Sequence, residues 1–117
     1  MSKLAQLIAH EEGFYVEGSV PQRFNNPGDL RHSPHSTHPN DPNGIGVIDT
    51  VEHGWEDLER QLQIYATRGL TLEQCIAIYA PPSENNSAQY LNFVCTGLGL
   101  PSDTLVSVAL QIPGDPS

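Results

Sequence analysis

Basic residues are scarce in this chain. Five Lys and Arg stand against fourteen Asp and Glu, leaving a net charge of -9 at pH 7 over 117 residues. So acidic a chain lacks the basic patch that nucleic acid or an anionic membrane surface requires, which argues against both as partners. Long apolar runs are missing too, and nothing approaches the roughly 20 residues that cross a bilayer. The first ten residues, Met1 to His10, carry one cation and an amphipathic pattern without the apolar centre of a secretory leader. The expectation is synthesis in the cytoplasm, or a leader already removed. Cysteine is confined to Cys75 and Cys95. Their spacing is not that of a metal motif; both read as small core residues on apolar helical faces, with a disulfide as the alternative. No internal repeat is visible.

What is present is enough for one compact domain with one core, since 38% of the residues are hydrophobic. Ten Gly and ten Pro gather between residues 13 and 46, near 81–82 and across 97–116, a pattern of helices joined by shaped loops. Leu4, Leu7 and Ile8 share one face of a helix predicted over 2–12, with Gly13 as its stop. Residues 14–46 show no sustained period. A loop this long in a small domain is usually functional or disordered. Phe14, Tyr15, Val16, Val20, Phe24 and Leu30 give it packing groups, so it reads as a shaped wall of a cleft. A short strand is expected within 44–49.

Thr50 is placed to cap the next helix, predicted over 51–68, whose apolar stripe is Val51, Trp55, Leu58, Leu62 and Tyr65. This is the expected central core helix. Thr71-Leu72-Glu73-Gln74 is a capping-box pattern opening a helix over 71–79, which Pro81-Pro82 stops. A further helix is predicted over 86–96 with Gly97 beyond its end, and a short one over 102–110. Residues 112–117 read as a frayed tail. The expected class is therefore mainly α (α+β), a small helical domain with a long loop or minor β segment forming one wall of a cleft.

Two carboxylates, Glu11 and Glu12, stand at the end of the first helix, directly before Gly13, Phe14 and Tyr15. An ordinary Glu, with a pKa of about 4.3, is only about 0.2% protonated at pH 7. An aromatic wall disfavours the charged form. Raising the value to about 6 costs about 2.3 kcal/mol and leaves about a tenth of the groups as acid. Helical periodicity does not choose between the two residues. Two further polar clusters flank helices: Arg23 to Arg31 and Tyr79 to Asn86. Their asparagines, each a donor and an acceptor at fixed angle, suit sugar hydroxyl and N-acetyl groups, although Asn-Pro-Gly is also ordinary turn chemistry. His32, His35 and His38, with His53 further on, are spaced as zinc ligands can be, but the surrounding Ser and Pro make solvated loop histidines the plainer reading.

These clusters together resemble a known family. The Glu12-Gly13 step is similar to the catalytic-glutamate position of phage-type lysozymes and lytic transglycosylases. Asn25-Asn26-Pro27-Gly28-Asp29-Leu30-Arg31 resembles the signature loop of a phage-related branch of the lysozyme-like superfamily. Ile78 to Asn86 matches that branch as well, with Tyr79 similar to the tyrosine of its Ala-Tyr-Asn motif, although Ala80 and Pro81 replace the residues that usually follow. The resemblance spans about residues 5–100.

It implies a lysozyme-like fold and cleavage of the β-1,4 bond between N-acetylmuramic acid and N-acetylglucosamine in peptidoglycan. Glu12 is then the general acid, and Asn25, Asn26, Asp29, Arg31, Tyr79, Glu84, Asn85 and Asn86 hold the glycan strand. Neither a cofactor nor a metal is implied. Action at the cell wall or in the periplasm, from a phage or a bacterial source, is the implied setting. A single-glutamate lytic transglycosylase is the preferred chemistry. A hydrolase needs a second carboxylate, for which Asp29, Asp49 and Glu84 are candidates. The alternative is a non-catalytic wall-binding or virion structural module that retains the fold, and a plain adaptor is a third reading.

Overall fold

A computed structural model describes residues 1–37, 44–80 and 86–116. About half of the chain is helical, and the one small sheet among the described residues has two antiparallel strands. The order is α1 (Lys3–Glu11), α2 (Val20–Arg23), β1 (Ser36–Thr37), β2 (Val47–Ile48), α3 (Val51–Thr67), α4 (Leu72–Tyr79), α5 (Ser87–Leu98) and α6 (Val106–Ala109). The mainly helical expectation holds at this level. Among the described residues, no helix is long and apolar enough to cross a membrane. The chain forms two compact units, one of residues 8–60 and one of residues 1–7 with 61–117.

The second of these is built from helices. Leu4, Leu62, Leu72, Cys75, Ile76, Val94, Val106 and Ala109 are at most 1% exposed there. Burying an aliphatic side chain of this size stabilises by about 1.5–3 kcal/mol each. Helix α4 packs against α5 and α6. The predicted capping box is present: Thr71 Oγ1 accepts from the Gln74 amide at 3.2 Å, and Gln74 Oε1 accepts from the Thr71 amide at 3.0 Å.

Several boundaries differ from the periodicity: α6 is confined to Val106–Ala109 rather than 102–110, and α2 lies in a stretch read as loop. Helix α5 runs through Gly97 and stops at Gly99, which takes φ +70°. Gly97 is instead a packing position, since a Cβ there would stand 2.7 Å from Leu7 Cδ2. Residues 112–115, expected to belong to a frayed tail, are hydrogen-bonded. The Lys3 amide donates to Ile112 O and the Gly114 amide to Met1 O, while the Gln6 side chain bonds both the amide and the carbonyl of Asp115. Paired backbone groups, rather than position near a terminus, hold residues 112–115 in place.

The unit of residues 8–60 is loop-rich. Its apolar core is small: Ile8, Ala9, Ile48 and Leu58 are fully buried. Buried alongside them are Asn26, at 0% exposure, and Asp57, at 2%. Polar groups so enclosed must be hydrogen-bonded, and here they organise the backbone. Asn26 Nδ2 donates to Leu30 O at 2.7 Å and Gly46 O at 2.8 Å, and its Oδ1 accepts from the Leu30 amide at 3.0 Å. One side chain thus closes the 26–30 turn and ties it to the strand entering β2. The neighbouring Asn25 carbonyl lies so close to α3 that a Cβ on Gly54 would meet it at 2.0 Å. Glycine in the first half of a helix costs propensity; close approach of the Asn25–Pro27 loop is what requires it. The strands pair Ser36 with Ile48 and Thr37 with Val47; β2 lies within the 44–49 segment where a strand was expected, and its partner β1 was not expected.

Candidate functional site

Helix α1 ends at Glu11, and Glu12 occupies the first turn beyond it, its amide still donating to Ile8 O at 2.9 Å. Gly13 then takes φ +87°, and the Phe14 amide returns to Ala9 O at 3.0 Å. This left-handed stop turns the chain away from the helix axis. The Glu11 side chain is 26% exposed, with His10 Nδ1 3.9 Å from its carboxylate, and Glu12 is half-buried. Burial alone does not choose between the two; the neighbours of each carboxyl do.

Aromatic residues gather after the stop. Phe14 meets Tyr15 and Trp55 edge-on at 5.4 Å each, and Tyr15 and Trp55 lie 6.5 Å apart. Tyr15 is 53% exposed. Trp55, expected in the core, is half-buried in this cluster.

The decisive neighbour of Glu12 is a second carboxyl group. The side chain of Asp29 lies within hydrogen-bonding reach of that of Glu12. Asp29 adopts φ +53°, an uncommon conformation for a residue with a side chain, at the end of the turn that Asn26 closes. Burial raises its pKa above the ordinary value, while the Glu12 hydrogen bond and the Arg31 guanidinium pull it back. No donor reaches the buried Oδ1 of Asp29 among the described residues. Ionised carboxylates only accept hydrogen bonds, so a bond between these two requires a proton on one of them. Two carboxyls sharing a site hold that proton to higher pH than either would alone. The pair can therefore hold an acidic proton that a lone exposed carboxylate would release, with desolvation of Asp29 as its largest cause.

The other predicted residues divide. Asn26 was expected to face a sugar, but its donors and acceptor are spent on the backbone and it is fully buried; it shapes the loop. Asn25, at φ +55°, donates from Nδ2 to Ile48 O at 3.0 Å, so it too is part of the frame. Arg31 is exposed, with its charge acting on Asp29. In the helical unit, Tyr79 ends α4, with its ring 6.5 Å from those of Tyr65 and Tyr90. Asn86 is exposed and precedes α5 without capping it through its side chain. Glu84, Asn85 and His38 lie outside the described residues. Cys75 and Cys95 are free thiols, and burial pushes that of Cys75 up to about 12.

One cluster escaped the sequence reading in part. Asp57 is drawn three ways: Ser33 Oγ donates to Oδ2 at 2.6 Å, the His35 amide donates to Oδ2 at 2.9 Å, and His35 Nδ1 lies 2.6 Å from Oδ1. Burial pushes the Asp57 pKa up, but these donors outweigh it and hold the group below the ordinary value. The His35 ring stacks on that of His53 at 3.9 Å and 12°. His53 Nδ1 is in turn 2.8 Å from Asp49 Oδ1. Nearly parallel rings aim their in-plane lone pairs along nearly parallel lines, which do not converge on one metal ion. Asp57 stands on α3 between Glu56 and Leu58, and only the fold shows that it is buried.

Neither a family model nor a curated protein nor a solved structure matches this chain. The chemistry of the site is therefore read from its own residues.

Proposed function

We propose that this protein cleaves peptidoglycan glycan strands between N-acetylmuramic acid and N-acetylglucosamine, as a single-glutamate lytic transglycosylase with a lysozyme-like fold. The observation that carries the reading is the half-buried Glu12 carboxyl in reach of Asp29. The resemblance of the Glu12-Gly13 step and the Asn25–Arg31 loop supplies the substrate class. Glu12 gives its proton to the glycosidic oxygen as the C–O bond breaks. As carboxylate it then takes the proton of the sugar's 6-hydroxyl, whose oxygen closes on the anomeric carbon. The product is a 1,6-anhydro sugar, and Glu12 is reprotonated for the next cycle.

Asp29 supports this route. An inverting hydrolase keeps its acid and base roughly 6.5–9.5 Å apart to admit water. A carboxyl in hydrogen-bonding reach of Glu12 leaves no such room. Asp29 instead stabilises the proton on the pair and the positive charge that develops on the sugar ring. Asp49 is committed to His53. Arg31, Tyr79, Glu84, Asn85 and Asn86 are assigned to holding the strand, and action at the cell wall follows from the substrate.

Product analysis on purified peptidoglycan tests the reading. Wild-type protein should release 1,6-anhydromuropeptides, and Glu12→Gln should lower the rate by about 10²–10⁴-fold, the usual contribution of a general acid. Reducing muramic ends without anhydro sugars would exclude the transglycosylase route. The net charge of -9 favours a second reading, a non-catalytic module that keeps the fold. Binding to peptidoglycan without release of muropeptides by either protein would establish that module.

A further inference from the structure

The Asp57–His35 and Asp49–His53 contacts form a sandwich, two imidazoles face to face with a carboxylate behind each. It joins two parts of the loop-rich unit. His35 belongs to the segment 33–37, which includes β1, while His53 and Asp57 stand one turn apart on α3. The segment has its own internal bonds, Ser36 Oγ to Ser33 O and the Ser33 amide to Ser36 Oγ, each 2.9 Å. Its links to α3 pass through Asp57 and the ring stack.

We propose that this sandwich is a proton-operated clasp, fastening segment 33–37 to α3 while the His53 ring carries a second proton and loosening it as the pH rises and that proton leaves. The charge inventory sets the direction. The groups acting on the ring of His53 are Asp49, Glu56 and Asp57, and those on the ring of His35 are Asp57 and His53. Three carboxylates thus surround two imidazoles, so proton uptake moves the cluster toward neutrality. The carboxylates also sit nearer to the ring nitrogens, at 2.6 and 2.8 Å, than the ring centres sit to each other, at 3.9 Å. Attraction to the carboxylates therefore outweighs repulsion between the rings.

The linkage has the same sign. The hydrogen bond that the His53 ring donates to Asp49 raises the His53 pKa, so its contribution is complete below the ordinary histidine value and is lost as pH rises through the raised one. The bond to His53 lowers Asp49, and the Ser33 and His35 donors prevail over burial to lower Asp57. Their contributions are complete above the ordinary carboxylate value and are lost as pH falls through the lowered ones. The clasp is tightest between these limits. Three residues separate Asp29 from Ser33, so the clasp fastens the chain close to Asp29, one member of the carboxyl pair.

Amide hydrogen exchange of the full chain between pH 5.5 and 8.5, corrected for intrinsic rates, tests the clasp. Protection of residues 33–37 should fall at least fivefold from pH 6 to pH 8.5, while that of α4 and α5 stays level. His53→Phe keeps a stacking ring that takes no proton, and should flatten the dependence to less than twofold. Asp49→Asn should move the midpoint to lower pH, and serves alone if the first variant does not fold by circular dichroism. A flat wild-type profile overturns the proposal. So does a wild-type dependence in His53→Phe, or an unmoved midpoint in Asp49→Asn. The readout is structural, so the clasp stands or falls separately from glycan cleavage.

Discussion

The two units of this chain are held together by different means. The helical unit, residues 1–7 with 61–117, relies on apolar burial along α4, α5 and α6. The loop-rich unit, residues 8–60, buries few aliphatic side chains and depends on Asn26 and Asp57, each bonded three ways. Apolar burial is non-directional and tolerates repacking. Buried polar bonds are directional and costly to break singly. A frame of the second kind can fix carboxyl groups in an unfavourable proximity, as it does for Glu12 and Asp29.

Three substitutions sharpen that contrast. The largest stability effect belongs to Asn26→Ala, which strands the Leu30 amide and the carbonyls of Leu30 and Gly46. A loss of about 3 kcal/mol in urea unfolding is expected, given about 1–3 kcal/mol for each buried group left unsatisfied. A loss below 1 kcal/mol would mean that water replaces the side chain and that the loop-rich unit does not depend on it.

In the helical unit, Thr71→Ala removes the side chain that caps α4. It should cost only about 1 kcal/mol, since the buried face of the helix is untouched. If it cost as much as Asn26→Ala, the distinction between the units would fail.

The smallest effect, and the most diagnostic in sign, is that of Asp29→Asn. Burial raises the Asp29 pKa, so its folded form favours the proton. Its contribution is present below the ordinary carboxylate value of about 3.9 and is lost as pH rises through the raised one. The variant should therefore match wild type near pH 3 and exceed it in Tm at pH 7. Scans of both proteins from pH 3 to pH 8 check this. A variant less stable than wild type at pH 7 would show that Asp29 is held for packing rather than against its charge.

The helices were legible in the sequence because their signals are local. Leu4 with Ile8, Leu58 with Leu62 and Tyr65, and Leu72 with Cys75 and Ile76 lie within a turn or two of each other, and each set is buried as its spacing predicts. The Thr71 capping box and the Gly13 stop read correctly for the same reason. Helix α5 overran its predicted end because Gly97 answers to Leu7, far away in the chain. The loop from 14 to 46 was legible only as a loop. Asn26 looked like a ligand-binding amide, and nothing nearby in sequence reveals that its partners are Leu30 and Gly46. Glu12 was singled out by its neighbours Gly13, Phe14 and Tyr15, whereas Asp29 was only one of three candidate second carboxylates, with Asp49 and Glu84, among which spacing does not choose.

By itself, the sequence determined where α1, α3 and α4 lie, which of their faces are apolar, and that an acidic, loop-rich chain carries a carboxylate at a helix stop. Spacing encodes these directly, because hydrogen bonds and side-chain faces in a helix connect residues three or four apart. The tertiary structure alone decided that Asp29 meets Glu12 rather than Glu11, and that a buried Asp57 is bonded to one of two stacked imidazoles. Those meetings depend on left-handed backbone at Asn25 and Asp29 and on a buried amide 20 residues from its partner, which no local pattern encodes.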